Sequence, residues 1–245
     1  MIPKVIHYCW FGRGKMSALE KRCLESWKEH CPDFEIKEWN EGNFDIAFCE
    51  FTKEAYRLKK YAFVSDVARL YALHQEGGIY LDTDMLLIDS LNSVLATDFF
   101  IGKENEKSLN GAIIGAIRGH SYLKALIGVY QDNKFELGGK ITIPMVLNEC
   151  LLTNRELRVY SSEVFYPVPF NRKHENHQKF IKDNTIGIHL WSHSWKDKYT
   201  YLRERKYIKA FKSFLKEDVF RLREYSFLGV FFIRTIKSAW VKINW

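Results

Sequence analysis

Long apolar runs are missing from this 245-residue chain. The strongest, at residues 226–233, falls far short of the roughly 20 residues that span a bilayer. Cysteine offers no framework either. The five thiols (Cys9, Cys23, Cys31, Cys49, Cys150) are odd in number and form no C-x-x-C pair. That argues against a disulfide scaffold and a zinc ribbon, and for free thiols in a reducing compartment. There is no internal repeat, no low-complexity stretch and no Pro/Gly-rich linker. The N-terminal segment runs straight into a strand pattern, so no secretory signal is expected. What remains is a composition 47% apolar and 16% aromatic, that of a globular chain with room for one substantial core.

The net charge of +7 sits in one place, because residues 203–245 carry eleven Lys/Arg against four Asp/Glu. The rest of the chain is balanced. A basic, aromatic-bearing helical tail with an apolar centre fits the interface of an anionic membrane; the competing reading is a helix packed back on the main domain. Nucleic acid is not expected as a partner, since no recognised binding motif accompanies the basic residues.

Strand patterns at residues 2–11, 34–39, 79–81, 99–103, 112–117 and 184–191 alternate with helical ones. Ser17 and Glu20 form a capping-box pattern for a helix reaching His30. A 3.6-residue period runs from Ala62 to Glu76 and stops at Gly77. Residues 85–88 continue the strand pattern beyond 79–81. Strands alternating with helices predict an α/β domain with a mainly parallel sheet, placed at residues 1–202, and a basic amphipathic helical extension at 203–245.

The chemistry centres on Gly77-Gly78-Ile79-Tyr80-Leu81-Asp82-Thr83-Asp84. Two carboxylates one residue apart, at the carboxyl end of an apolar strand, stand where open α/β sheets bind ligands. If strand geometry continues through them, they face the same side. Hard cations take carboxylate oxygens and share them with substrate phosphates, so Mn2+ or Mg2+ and a nucleotide-sugar donor are the expected cofactor and substrate. Asp66 and Arg69, three apart on the preceding helix, share a face. They are either a surface ion pair or a cleft-facing pair that meets phosphate and sugar hydroxyls. Trp10, ending the first strand, either caps the core or stacks a nucleobase. His189 and His193 flank the end of the last strand; either is a buried structural histidine or a further metal ligand.

Together these segments resemble glycosyltransferase family 32, the glycosyltransferases with a DXD sugar-binding motif. The matching pieces are residues 2–12, Ser65-Asp66-Val67-Ala68-Arg69, the 77–84 block and 189–195. The resemblance implies a GT-A fold, a Rossmann-like nucleotide-sugar-binding domain, and sugar transfer with retention of anomeric configuration. It implies that Trp10 stacks the base, usually uracil, and that Asp66 and Arg69 hold the transferred sugar. Tyr80 and Asp82 would contact nucleoside or sugar, and Asp84 would ligate the metal. His189 would meet metal or diphosphate, Ser194 and Trp195 the diphosphate from a closing loop, and Asn110 the sugar. His193 departs from the smaller residue many relatives carry there. The acceptor implied is a saccharide, lipid-linked if the tail lies on the inner face of the cell membrane, as in capsular or other surface polysaccharide synthesis. Two other classes compete. An aspartyl phosphohydrolase would place its acidic pair after the first strand, which this chain does not. A non-enzymatic membrane-binding protein would leave the acidic cluster without a role.

Overall fold

The computed structural model describes residues 1–139, 141–154, 156–192, 205 and 207–214. The chain divides into a compact unit, Met1–Ser192, and a second, His193–Trp245. The expected boundary at 202 lies outside the described residues. Within the second unit Tyr207–Phe214 is helical (α7, counted in chain order).

The first unit is built from β1 (Val5–Cys9), α1 (Ala18–His30), β2 (Glu35–Trp39), α2 (Glu50–Arg57), α3 (Tyr61–Glu76), β3 (Gly78–Leu81), β4 (Met85–Leu87), β5 (Phe99–Asn105), β6 (Ser108–Ala116), α4 (Ser121–Gln131), α5 (Ile143–Leu151), β7 (Arg158–Tyr160), α6 (Ser162–Phe165) and β8 (Gly187–His189). The central sheet runs β2-β1-β3-β6-β5-β7. Pairs β1/β2, β1/β3 and β5/β7 are parallel, while β3/β6 and β5/β6 are antiparallel. β7 and α6 are absent from the sequence pattern, because three and four residues are too few to show a period and β7 is largely exposed.

Apolar residues cover the sheet on both faces. One layer joins Tyr80, Ile101 and Ile114 to Val64, Val67, Leu70 and Leu73 of α3. The other joins Ile6, Ile79, Leu81 and Ile113 to Trp27 of α1 and Phe165 of α6. Period-two alternation along β3 therefore sends Tyr80 one way and Leu81 the other. α1 opens on the expected capping box: the Ser17 hydroxyl accepts from Leu19 N at 3.2 Å, and Glu20 accepts from Ser17 N at 2.7 Å. α3 stops at Gly77, whose φ of 69° is left-handed and whose N–H donates back to the Leu73 carbonyl.

One expectation is corrected. Met85–Leu87 does not prolong β3 but pairs antiparallel with β8 in a separate two-stranded ribbon, Met85 opposite His189. The chain turns between the two aspartates, with Met85 N donating to the Asp82 carbonyl at 2.9 Å. Trp27 fixes the ribbon by donating its indole N–H to the Met85 carbonyl at 2.7 Å.

Candidate active site

The turn after β3 changes how the aspartates meet. Asp82 and Asp84 do not converge through strand alternation, as the sequence pattern implied; the turn folds Asp84 back beside Asp82. The β4/β8 ribbon then brings His189 to both. Ligand atoms of Asp82, Asp84 and His189 lie within 4.8 Å of one another. His189 Nε2 is 3.2 Å from Asp84 Oδ1, and Asp84 Oδ2 accepts the Ser192 backbone N–H at 2.7 Å. Trp191 makes that last contact possible: its φ of 56° is a strained left-handed backbone for a bulky residue. The strain is held by the indole N–H donating to the Val168 carbonyl at 2.8 Å and by ring contact with His189 at 4.1 Å.

Burial works to raise the Asp84 pKa, but His189 and the Ser192 N–H outweigh it and hold the carboxyl well below the ordinary range. Burial likewise works against the His189 cation, and Asp84 overrides it, raising the imidazole. The His189 Nδ1 atom is buried and has no hydrogen-bond partner among the described residues. Two carboxylates and one imidazole, converging from two chain segments, fit a Mn2+ or Mg2+ ion.

On the other side of Asp82 stands Arg69, from the face of α3 turned toward the sheet. Its Nη1 is 3.1 Å from Asp82 Oδ1 and donates to the Gly111 carbonyl at 2.8 Å; its Nη2 donates to Asp66 Oδ1 at 3.0 Å. The Tyr80 ring lies beneath the guanidinium at 4.5 Å, and its hydroxyl donates to Asp82 Oδ1 at 2.9 Å. Arg69 and Asp66 are 5% and 8% exposed at the side chain, so the surface ion pair is excluded. Burial alone would weaken the Arg69 cation; Asp82, Tyr80 and Asp66 overcome that. Burial pushes the Asp66 carboxyl up to about 6, against Arg69 and the Ile143 N–H. Both Asp66 oxygens are engaged, Oδ2 accepting from Ile143 N at 3.1 Å.

Trp10 follows Cys9 at the end of β1. The parallel register (Ile6 opposite Ile79, His7 opposite Tyr80) places it at the same sheet end as Asp82. It is half-buried, and its indole N–H donates to the Gly14 carbonyl at 2.7 Å. Asn110 is 7% exposed; its Oδ1 accepts from Ala112 N, and its Nδ2 donates to Glu104 Oε2 at 3.0 Å. His193, Ser194 and Trp195 lie outside the described residues.

Two participants carry no sequence signal, Tyr166 and Glu104; Gly111, next to the expected Asn110, enters through its carbonyl. The Tyr166 hydroxyl donates to the Asn110 carbonyl and accepts from Ile113 N, each at 3.1 Å. Only the paired fold brings these groups together.

Residues 17–101 match the family described as "Glycosyltransferase sugar-binding region containing DXD motif". Two similar proteins are inositol phosphoceramide mannosyltransferase 3 of Schizosaccharomyces pombe, 23% identical over 51% of this chain and 36% of its own length, and lactosylceramide 4-alpha-galactosyltransferase of Mus musculus, 24% identical over 53% and 40%. The chain thus spans less than half the length of these relatives. Among solved structures, PaToxG glycosyltransferase superposes with a TM-score of 0.50 at 17% identity, over 63% of this chain and 70% of that one. The fold is of the GT-A type, and the matched segment contains the Asp82-Thr83-Asp84 sequence.

Proposed function

We propose that this protein is a metal-dependent, retaining glycosyltransferase that moves a sugar from a nucleotide-sugar, of UDP type, to a saccharide acceptor. The observation that carries the reading is the convergence of Arg69, Asp82, Asp84 and His189 at one sheet end. Asp82, Asp84 and His189 would hold Mn2+ or Mg2+. Such an ion supplies Lewis-acid stabilisation of charge on a departing diphosphate. Arg69, prealigned by Asp66, Gly111 and Asp82, is a fixed cation available to diphosphate or sugar oxygens and needs no reorganisation to act. Trp10, at the same sheet end, offers a π-face to the base. The acceptor hydroxyl would attack the anomeric carbon on the face the diphosphate leaves: the bond from that carbon to the diphosphate oxygen breaks, and the hydroxyl proton passes to the departing oxygen.

A lipid-linked acceptor, a place on the inner face of a cell membrane and a role in surface polysaccharide synthesis are parts of the same proposal, resting on the basic tail and on the resemblance to glycosyltransferase family 32. Two similar proteins, inositol phosphoceramide mannosyltransferase 3 and lactosylceramide 4-alpha-galactosyltransferase, join glycosyl transfer to ceramide-bearing acceptors by name. Anionic vesicles should float with the full chain and less with one ending at Asp218; equal flotation dismisses the membrane part. For the reaction, the protein is incubated with a panel of UDP-sugars and Mn2+, and released UDP is read. Calorimetry should detect UDP binding with Mn2+ present and none with Mn2+ withheld. Metal-independent UDP binding, or no UDP released from any donor, would refute the assignment.

A further inference from the structure

β5 and β6 pair with register shifts at Ile101/Gly102 and Lys103/Asn105. Lys103 faces Leu109 and Asn105 faces Ser108, which leaves Glu104 with no residue opposite it. Such a bulge re-aims a side chain and is enriched beside active sites. The bend is fixed from below, because the Tyr166 ring packs where a Cβ at Gly102 would be, 2.6 Å from its Cε2. The re-aimed side chain is Glu104, and its Oε2 accepts the Asn110 amide at 3.0 Å.

We propose that Glu104 is a further ligand-binding residue of this site, its free carboxylate oxygen accepting hydrogen bonds from saccharide hydroxyls beside the Asn110 amide. The inference rests on the glycosyltransferase reading and goes beyond it in naming the residue and what it holds. Glu104 Oε1 accepts nothing from the described residues. No cation among them pairs with it: Lys103 pairs with Glu106, and Arg69 with Asp66 and Asp82. One oxygen of this half-buried carboxylate is therefore held by the Asn110 amide, and the other is left available to a ligand. Glu104 lies beside the acidic cluster: Asn110, which donates to it, precedes Gly111, whose carbonyl accepts from Arg69, and the Tyr166 ring under Gly102 is 5.7 Å from that of His189. It is not part of the group of ligand atoms within 4.8 Å. Phosphate is the wrong partner for it, since like charges repel; neutral hydroxyls, several to a molecule, are the right one. A carboxylate paired with an amide offers two acceptors and a donor, the complement of a sugar diol. The sugar belongs either to the donor or to the acceptor, and the experiment has an arm for each.

Glu104→Gln keeps the shape and the Asn110 contact but removes the charge; Glu104→Ala removes both. With Mn2+, the affinities for UDP and for the best UDP-sugar of the panel are measured by calorimetry, together with donor hydrolysis and transfer to an octyl lactoside. Losing a charge-assisted hydrogen bond predicts a drop of about ten-fold. In the donor arm that drop is in UDP-sugar affinity or hydrolysis, with UDP affinity unchanged. In the acceptor arm hydrolysis is unchanged and transfer falls. Both variants within two-fold of wild type in both arms overturn the proposal, as does an equal loss of UDP affinity, which would mark a general structural effect. Wild-type protein that neither binds UDP nor cleaves a donor would instead refute the glycosyltransferase reading, and Glu104 with it.

Discussion

The guanidinium of Arg69, in the middle of α3, stands 3.1 Å from the carboxylate of Asp82, one residue past β3. That distance joins the helix to the strand end and aligns the acidic turn before any ligand arrives. The same guanidinium holds Asp66 and the Gly111 carbonyl, so three chain segments are tied through one cation.

Arg69→Met should therefore be severe. It strands the buried Asp66 without its counter-charge, and removing one partner of a buried pair costs about 3–5 kcal/mol. Asp66→Asn should be milder, because Arg69 keeps Asp82 and Gly111. Urea unfolding of the two variants gives the comparison. Equal destabilisation, or a greater loss in Asp66→Asn, would show that Asp66 rather than Arg69 organises the cluster.

Asp84→Asn should abolish transfer and leave the fold intact. An asparagine oxygen can still accept the Ser192 N–H that Asp84 Oδ2 now receives at 2.7 Å. What it cannot supply is the anionic ligand that a hard cation wants. Circular dichroism checks the fold, and UDP release with added Mn2+ checks the activity. Near-normal turnover would remove Asp84 from the metal site.

The sequence announced the parts of this site whose chemistry is local. Glycines, an apolar strand and two aspartates occupy eight consecutive residues, and a capping box or a helical period needs no distant partner. Asp66 and Arg69 were visible as a pair, but spacing alone could not say whether they faced water. α3 decides it by being apolar on most sides: Val64, Val67, Ala68, Leu70, Ala72 and Leu73 are all buried with them. Glu104 and Tyr166 were invisible for a different reason. One depends on a register shift between β5 and β6, and the other on a loop returning after β7. His189 was named, yet its approach to Asp84 depends on a ribbon that the strand pattern had joined to β3.

The fold should lose stability in mild acid through a histidine away from the metal cluster. Trp39 Nε1 donates to His7 Nδ1 at 3.0 Å, so Nδ1 must be the acceptor and Nε2 carries the proton toward the Gly77 carbonyl, 2.7 Å away. Protonation would set two N–H groups against each other. Burial accordingly lowers the His7 pKa from its ordinary value of 6.5. Below about pH 6.5 the unfolded chain then binds more protons than the folded one. The contribution is fully present above that pH and is lost as pH falls through the lower folded value. Asp66 and His189, whose folded pKa values are raised, act in the opposite direction over this range, so the His7 contribution is read as a difference. Between about pH 5 and 7 the urea midpoint of wild type should fall with acid relative to that of His7→Gln, which can still donate and accept. An unchanged slope in the variant would assign the acid sensitivity to other groups.

Two glycine substitutions should have opposite signs. Gly78 has φ of 111°, and a Cβ there would come 2.6 Å from the Val5 carbonyl oxygen and 2.9 Å from His7 Nε2. Both neighbours are fixed, the carbonyl by β1 and the imidazole by Trp39, so neither can yield cheaply. Gly78→Ala should lose the ~1–3 kcal/mol of a strained backbone and more from the clash. It should also pull the start of β3 away from β1 and lower activity through Tyr80 and Asp82. Gly128, inside α4, is the control, since its Cβ would meet nothing within 4 Å. Gly128→Ala should gain about 0.5–1 kcal/mol by restricting the unfolded chain and raising helix propensity. Thermal melts of the two variants decide the matter: a Gly78→Ala protein as stable as wild type would mean that β1 and β3 do not approach as closely as their register requires.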